Sequence, residues 1–299
     1  MKDMDPASSG EPLRTHLRNS KSRRDPVDAF RGIYWFESIR MRTGLPSAYA
    51  MERRFEPEAF KEEGTTRYHR NKWSAYGNGK RIPRALLIKR VEMQLPGSAQ
   101  LINHVLWDIL RVRLPVLENI DRWINELEPS TQHLIFEISA RKAGLGRQRR
   151  HVDQRPLEML GRRPTLDALA CLTLLAREAA AQGRPDIAFH AVPRMLKILL
   201  VHASTAPMAR IASTLFDFYR ENIFALGVFE GKTYSLEDYP FEEILISLNR
   251  FIARCEEREG VTIDWADALQ SKLSLLSGRY GIGILMATAP RATSFAQTA

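Results

Sequence analysis

The sequence predicts an all-α protein, and three observations carry that prediction. Apolar residues recur at i, i+3 and i+4 in segment after segment, helix caps with Pro or Gly punctuate them, and no strand-like alternation of useful length intervenes. At 299 residues the chain is long enough to bury a large core in two domains. The expected organisation is a disordered basic tail over 1–24, a small basic domain over 25–97, a larger helical array over 98–287 and a disordered tail over 288–299. Hydrophobic content of 44% and charged content of 26% are those of a soluble globular chain. With no run of 18 apolar residues and no signal-peptide core, the expectation is a cytoplasmic protein without a membrane partner. Cys171 and Cys255 lie far apart and outside any CxxC, so they read as two buried, inert thiols.

Charge divides the chain more sharply than composition does. Residues 1–90 hold 20 Lys and Arg against 11 Asp and Glu, whereas residues 91–299 hold 24 of each. The whole net charge of +9 therefore sits in the first third. Such a footprint suits a polyanion partner, because displacing counterions from phosphates drives non-specific nucleic-acid affinity. Arg outnumbers Lys 34 to 10, which genomic composition also explains, but composition alone does not thin out the acids in one third.

The tail 1–24 ends in Arg14, Arg18, Lys21, Arg23 and Arg24, either an arm along a nucleic-acid backbone or a solubilising segment. Asp25-Pro26 caps a helix from about Val27 to Thr43, with Phe30, Ile33 and Tyr34 on its faces and Gly44 as its stop. Leu45-Pro46-Ser47 opens a second helix through about Arg54. Thr65 or Thr66 then caps a third, whose first turns carry Arg67, Arg70, Asn71 and Lys72, while Tyr68 and Trp73 supply apolar bulk. Tyr76-Gly77-Asn78-Gly79 is a strong stop, since Gly and Asn tolerate positive φ. Lys80 and Arg81 follow in a loop. Pro83 then suits the first turn of a helix in which Leu86, Leu87, Val91 and Leu95 recur, ended by Pro96-Gly97.

The run Trp73-x-x-Tyr76-x-x-Gly79-Lys80-Arg81-x-Pro83, with Arg42-Thr43-Gly44-Leu45-Pro46-Ser47 before it, resembles the helix-turn-helix domain of phage repressors of the Cro/C1 type. The resemblance covers roughly residues 28–95. It implies that Arg67, Arg70, Asn71 and Lys72 lie on a recognition helix, and that Lys80, Arg81 and Arg84 meet phosphates. Gly44 to Trp73 spans 29 residues, against roughly 20 in a compact repressor-type unit. The extra piece lies near RRFEPEAFKEEG, which makes this a modified helix-turn-helix.

Beyond Pro96, helices are expected near 98–111, 115–127 and 130–142. Residues 141–163 carry eight Lys and Arg against two acids, either an interdomain loop or a second anion-contacting patch. A helical hairpin follows, Thr165–Gln182 and Pro185–Ala203, flanking a Gly183-Arg184-Pro185-Asp186 turn. Helices near 207–226, 235–258 and 262–277 complete the array, with Ser235-x-x-Asp238 as a capping signal. Ile211, Leu215, Phe218, Ile223 and Phe224 form an apolar stripe that suggests a partner protein or a homodimer.

Catalytic signals are absent from the sequence. There is no HExxH, no GxxxxGK[ST] and no GxSxG. Arg194 and His202 share a helix with seven residues between them, and read as core packing. The expectation is a non-enzymatic, cofactor-free protein that binds nucleic acid, duplex DNA first, as a regulator or part of a DNA-associated complex. The alternative is a helical interaction subunit of a larger bacterial assembly, such as a defence or mobile-element system, with a vestigial helix-turn-helix.

Overall fold

The computed structural model describes residues 25–63, 66–68, 71–139, 146–279 and 290–294. The chain is mainly helical, as the sequence predicts, and the described residues add three short antiparallel strand pairs that its patterning did not announce. Two compact units emerge: Met1–Trp107 with Thr205–Leu215, and Asp108–Ser204 with Phe216–Ala299. The expected tail 1–24 lies outside the described residues.

In the first unit, α1 spans Pro26–Thr43. Asp25 caps it by accepting from the Val27 amide at 3.0 Å, Pro26 fills the first turn, and Gly44 closes it in the left-handed region. Ser47 caps α2, Ala48–Phe55, by accepting from the Ala50 amide at 3.2 Å. The expected third helix begins later than its Thr cap signals. Lys61–Glu63 (β1) and Thr66–Tyr68 (β2) form an antiparallel hairpin instead, with Arg67 paired to Glu62. Helix α3 runs only Lys72–Gly77, and the left-handed Asn71 (φ 48°) redirects the chain into it. Next come α4 (Ala85–Gln94), α5 (Ser98–Ile102) and α6 (Val105–Ile109). Pro83 sits two residues ahead of α4 and not in its first turn, because Arg84 keeps an extended backbone before the helix starts.

The core of this unit is aromatic. Trp35 on α1, Phe55 at the end of α2, and Trp73 and Tyr76 on α3 form one cluster with Phe36, Met51 and Val91. Trp73 stacks on Phe55 at 5.3 Å and on Trp35 at 5.6 Å between ring centroids. Ile102 belongs to the same cluster, and Tyr34 meets Trp107 at 5.4 Å. Pro96-Gly97 is therefore a tied corner inside the unit and not the domain boundary expected at 97. The Glu92 carboxylate accepts from the Gly97 and Ala99 amides at 2.7 and 2.6 Å and from the Ser98 hydroxyl at 3.1 Å. These bonds, the Ala99 amide first, hold its pKa below the usual carboxylate range. A later segment returns to the same unit. Arg210 donates to Glu37 at 2.8 Å and to Asn78 at 2.9 Å, and the nearly buried Glu37 also accepts from Arg40.

The second unit is built on a hairpin of α10 (Leu166–Ala181) and α11 (Pro185–Ala203), preceded by α7 (Val116–Glu126), α8 (Pro129–Ile135) and α9 (Gln154–Gly161). Twelve consecutive residues of α10, Ala168 to Ala179, are buried, so the helix is apolar nearly all round and runs through the middle of the unit. Its two buried charges have partners. Arg177 donates to the backbone carbonyls of Ile109, Val112 and Leu114, and Glu178 receives a bidentate pair from Arg149. After α12 (Ala212–Asn222) come β5 (Lys232–Ser235), α13 (Phe241–Glu259), α14 (Trp265–Leu276) and β6 (Arg291–Ser294).

Several expectations change here. Phe136–Ser139 (β3) pairs with Gly146–Arg149 (β4), so the described part of the basic stretch 141–163 holds a strand and α9 inside one unit, which sets aside the interdomain-loop alternative for it. Ser235 ends β5 and caps nothing; α13 starts at Phe241. Residues 291–294, expected to be disordered, pair with β5. Of the stripe expected to meet a partner, Ile211, Leu215, Ile223 and Phe224 are buried within the folded chain and Phe218 is half-buried.

Both thiols are free. Cys171 is fully buried on α10, and burial pushes its thiol up to about 12, whereas Cys255 on α13 is half-buried. In the native chain one thiol should react with Ellman's reagent at neutral pH, and two after denaturation. Two rapid equivalents under native conditions would contradict the burial of Cys171.

Candidate nucleic-acid interface

The loop after α3 closes by backbone geometry. The Lys80 amide donates to the Ala75 carbonyl at 2.8 Å and the Gly79 amide to the Tyr76 carbonyl at 3.0 Å, the two bonds of a Schellman cap with Gly79 left-handed at φ 66°. Gly79 has a second reason to lack a side chain: a Cβ there would lie 2.9 Å from the Ala29 Cβ. Gly77 is helical, and its role is space for the Phe36 ring, 2.9 Å from where a Cβ would stand. The cap turns Lys80 and Arg81 outward, and both are exposed.

Beside this loop lies an open cleft of about 700 Å³ within the first unit. Lys72, Arg81, Arg84 and Arg90 line it, with Tyr76 and Leu86, and Glu56 is the carboxylate among its described lining residues. Glu56 is engaged: one oxygen accepts from Lys72 at 3.0 Å and the other from the Trp73 indole at 3.0 Å. Arg90 donates to Glu58 and to the Phe55 carbonyl, and its bond holds the Glu58 pKa below the usual range. Arg81 and Arg84 are exposed and have no ion-pair partner among the described residues. Burial raises the Tyr76 pKa, helped by Glu56 and Glu52, with Arg81 and Arg84 pulling the other way.

The seven residues expected to contact DNA thus divide. Lys72, Arg81 and Arg84 meet in one cleft. Lys80 is exposed on the adjoining loop, and Asn71 is exposed at the entry to α3. Arg67 lies on a strand and not on the recognition helix expected for it, since β1–β2 pairing takes the residues a helix would have used. Arg70 lies outside the described residues. Arg90 was missed, although Arg84, Leu87 and Arg90 stand at spacings of three, which sets them on one side of a helix.

The class these features define is a helical protein with a cationic cleft in its smaller unit. Compared with protein-family models, curated proteins and solved structures, the chain matches none. Among the described residues, no single helix is long and apolar enough to cross a membrane, and no group of three His, Cys, Asp or Glu side chains is placed to hold a metal.

Proposed function

We propose that the protein binds nucleic acid, duplex DNA first, by holding phosphates in the Lys72–Arg81–Arg84 cleft. The observation that carries this reading is the convergence of four cations on one open cleft, two of them exposed and without an ion-pair partner among the described residues. The surplus charge of the first third adds long-range attraction, since released counterions favour the complex. The reading is one of backbone contact. Base reading needs a helix presented to the groove, and α3 has six residues, with Arg67 on a strand before it.

A second reading rests on α4. Leu86 and Met93 stand one heptad apart and are 72% and 71% exposed, an outward apolar pair suited to a protein partner in a larger assembly. One experiment separates the two. Duplex DNA is titrated across a range of salt concentrations, with the double variant Arg81→Gln/Arg84→Gln and, for the apolar face away from the cleft lining, with Met93→Ser. The arginine variant should weaken binding and flatten the slope of log affinity against log salt by about two units, roughly one for each phosphate no longer neutralised. The apolar variant should leave both unchanged. A slope that ignores the arginines would remove the cleft from the interface, and no salt-dependent binding at all would favour the assembly reading.

A further inference from the structure

A second cationic groove lies wholly within the other unit, and nucleic-acid binding by the first unit makes no use of it. It has a volume of about 410 Å³, lined by Glu158, Gly161 and Arg162 around the end of α9, Arg194 and Lys197 on α11, and Ser277 just past α14. Three cations thus face one carboxylate, and that carboxylate is already engaged: Glu158 meets Arg194 at 3.5 Å. Arg194 is further anchored by donating to the His190 carbonyl one turn back. Its stem lies against α9 because residue 161 is glycine; a Cβ there would stand 3.0 Å from the Arg194 Cγ.

Lys197 makes the groove unusual. It is half-buried, one turn along α11 from Arg194, and has neither a hydrogen-bond nor an ion-pair partner among the described residues. A partly desolvated ammonium beside a guanidinium costs free energy unless an anion offsets it. Burial and Arg194 together hold the Lys197 pKa below that of an ordinary lysine. The protein supplies the two arginines, the lysine and a hydroxyl on three separate helices or their ends, yet no counter-charge for the lysine among the described residues.

We propose that this groove binds a phosphate group, with Lys197 and Arg162 as its charged contacts and Arg194 as the anchored third cation. The groove's size suits the phosphate end of a small molecule, and a phosphodiester of a bound polynucleotide presents the same chemistry. The proposal does not depend on the cleft of the first unit, and its variants are different residues.

The test uses the full chain and inorganic pyrophosphate, followed by calorimetric titration and thermal melting, with ionic strength held constant by sodium chloride. Wild-type protein should take up pyrophosphate at a saturable site and melt higher with it. Lys197→Met keeps the apolar stem and removes the charge, so its affinity should fall about tenfold or more. Without pyrophosphate this variant should melt no lower than wild type, because an uncompensated charge has gone. Affinity should also weaken as pH rises through the depressed Lys197 pKa, where the ammonium is lost. If Lys197→Met and Arg162→Gln weaken duplex DNA instead and pyrophosphate does not bind, the phosphate belongs to a polynucleotide. Absence of saturable binding to either probe, or equal binding by wild type and both variants, would overturn the proposal. So would a Lys197→Met protein that melts well below wild type without ligand, since the lysine would then serve the fold.

Discussion

Trp73→Ala should cost the first unit about 3–5 kcal/mol, the range for truncating a large buried aromatic side chain. Trp73 is fully buried, stacked between Phe55 and Trp35 and edge-on to Tyr76 at 6.0 Å. No small shift of α3 refills that space, because the residues beside it are already close-packed: Gly77 lies against Phe36 and Gly79 against Ala29. Domains are stable by only about 5–15 kcal/mol, so the loss takes a large share of the total. Urea unfolding followed by circular dichroism should move the midpoint far down, while Leu86→Ala, 72% exposed on α4, should move it little. Trp73→Phe should fall between the two, since a smaller ring keeps part of the stack. A Trp73→Ala midpoint close to that of Leu86→Ala would mean that the aromatic cluster does not hold the unit together.

That cluster also shows what local patterning can and cannot reveal. Helix ends with a chemical signature were legible: Asp25 and Ser47 at starts, Gly44 and Gly79 at stops. Each is a local event in which a side-chain oxygen or a left-handed glycine satisfies groups within the same turn. The hairpin at 61–68 was not legible. Lys61-Glu62-Glu63 and Thr66-Arg67-Tyr68 have neither alternation nor apolar weight, and Thr65-Thr66 offered a plausible helix cap in its place. Domain limits failed for a different reason. Pro96-Gly97 looks like a boundary, yet Glu92 ties it down, and Ile102 and Arg210 belong to the first unit through contacts distant in sequence. Propensity carries no information about such pairings. For the candidate site the residue types were readable and their partners were not: Arg81 stood out as a loop cation and Arg84 as a phosphate contact, whereas Arg90 and Glu56 entered through packing. In the apolar stripe near 211–224, four of the five residues are covered within the chain itself, since a stripe says that something is covered and not what covers it.

The second unit should grow more stable as pH rises from about 8 toward 10, and Lys272 is the group responsible. Its ammonium is buried on α14, donating to the Ser204 hydroxyl at 2.9 Å and the Asn249 side-chain oxygen at 2.8 Å, with no carboxylate in ion-pair range among the described residues. Two neutral acceptors satisfy its hydrogens but do not balance its charge, and burial pushes its pKa down to about 8 from 10.5. Between those values the unfolded chain keeps the proton and the folded chain releases it, so unfolding takes up protons and higher pH favours folding. At about 1.4 kcal/mol per unit, the full difference is ~3 kcal/mol. Lys197, also held low, adds the same sign more weakly. Above about pH 9 the buried Cys171 thiol, and above pH 10 the buried Tyr219 and Tyr239, whose pKa values burial raises, act the other way, because the unfolded chain ionises first. Subtracting the curve of Lys272→Met from that of wild type isolates the lysine. The variant should lack the rise between pH 8 and 10 and should be at least as stable as wild type at pH 7, where the buried charge costs most. Parallel curves for the two proteins would mean that Lys272 stays protonated throughout. A variant much weaker at pH 7 would mean that its bonds to Ser204 and Asn249 outweigh the desolvation of its charge.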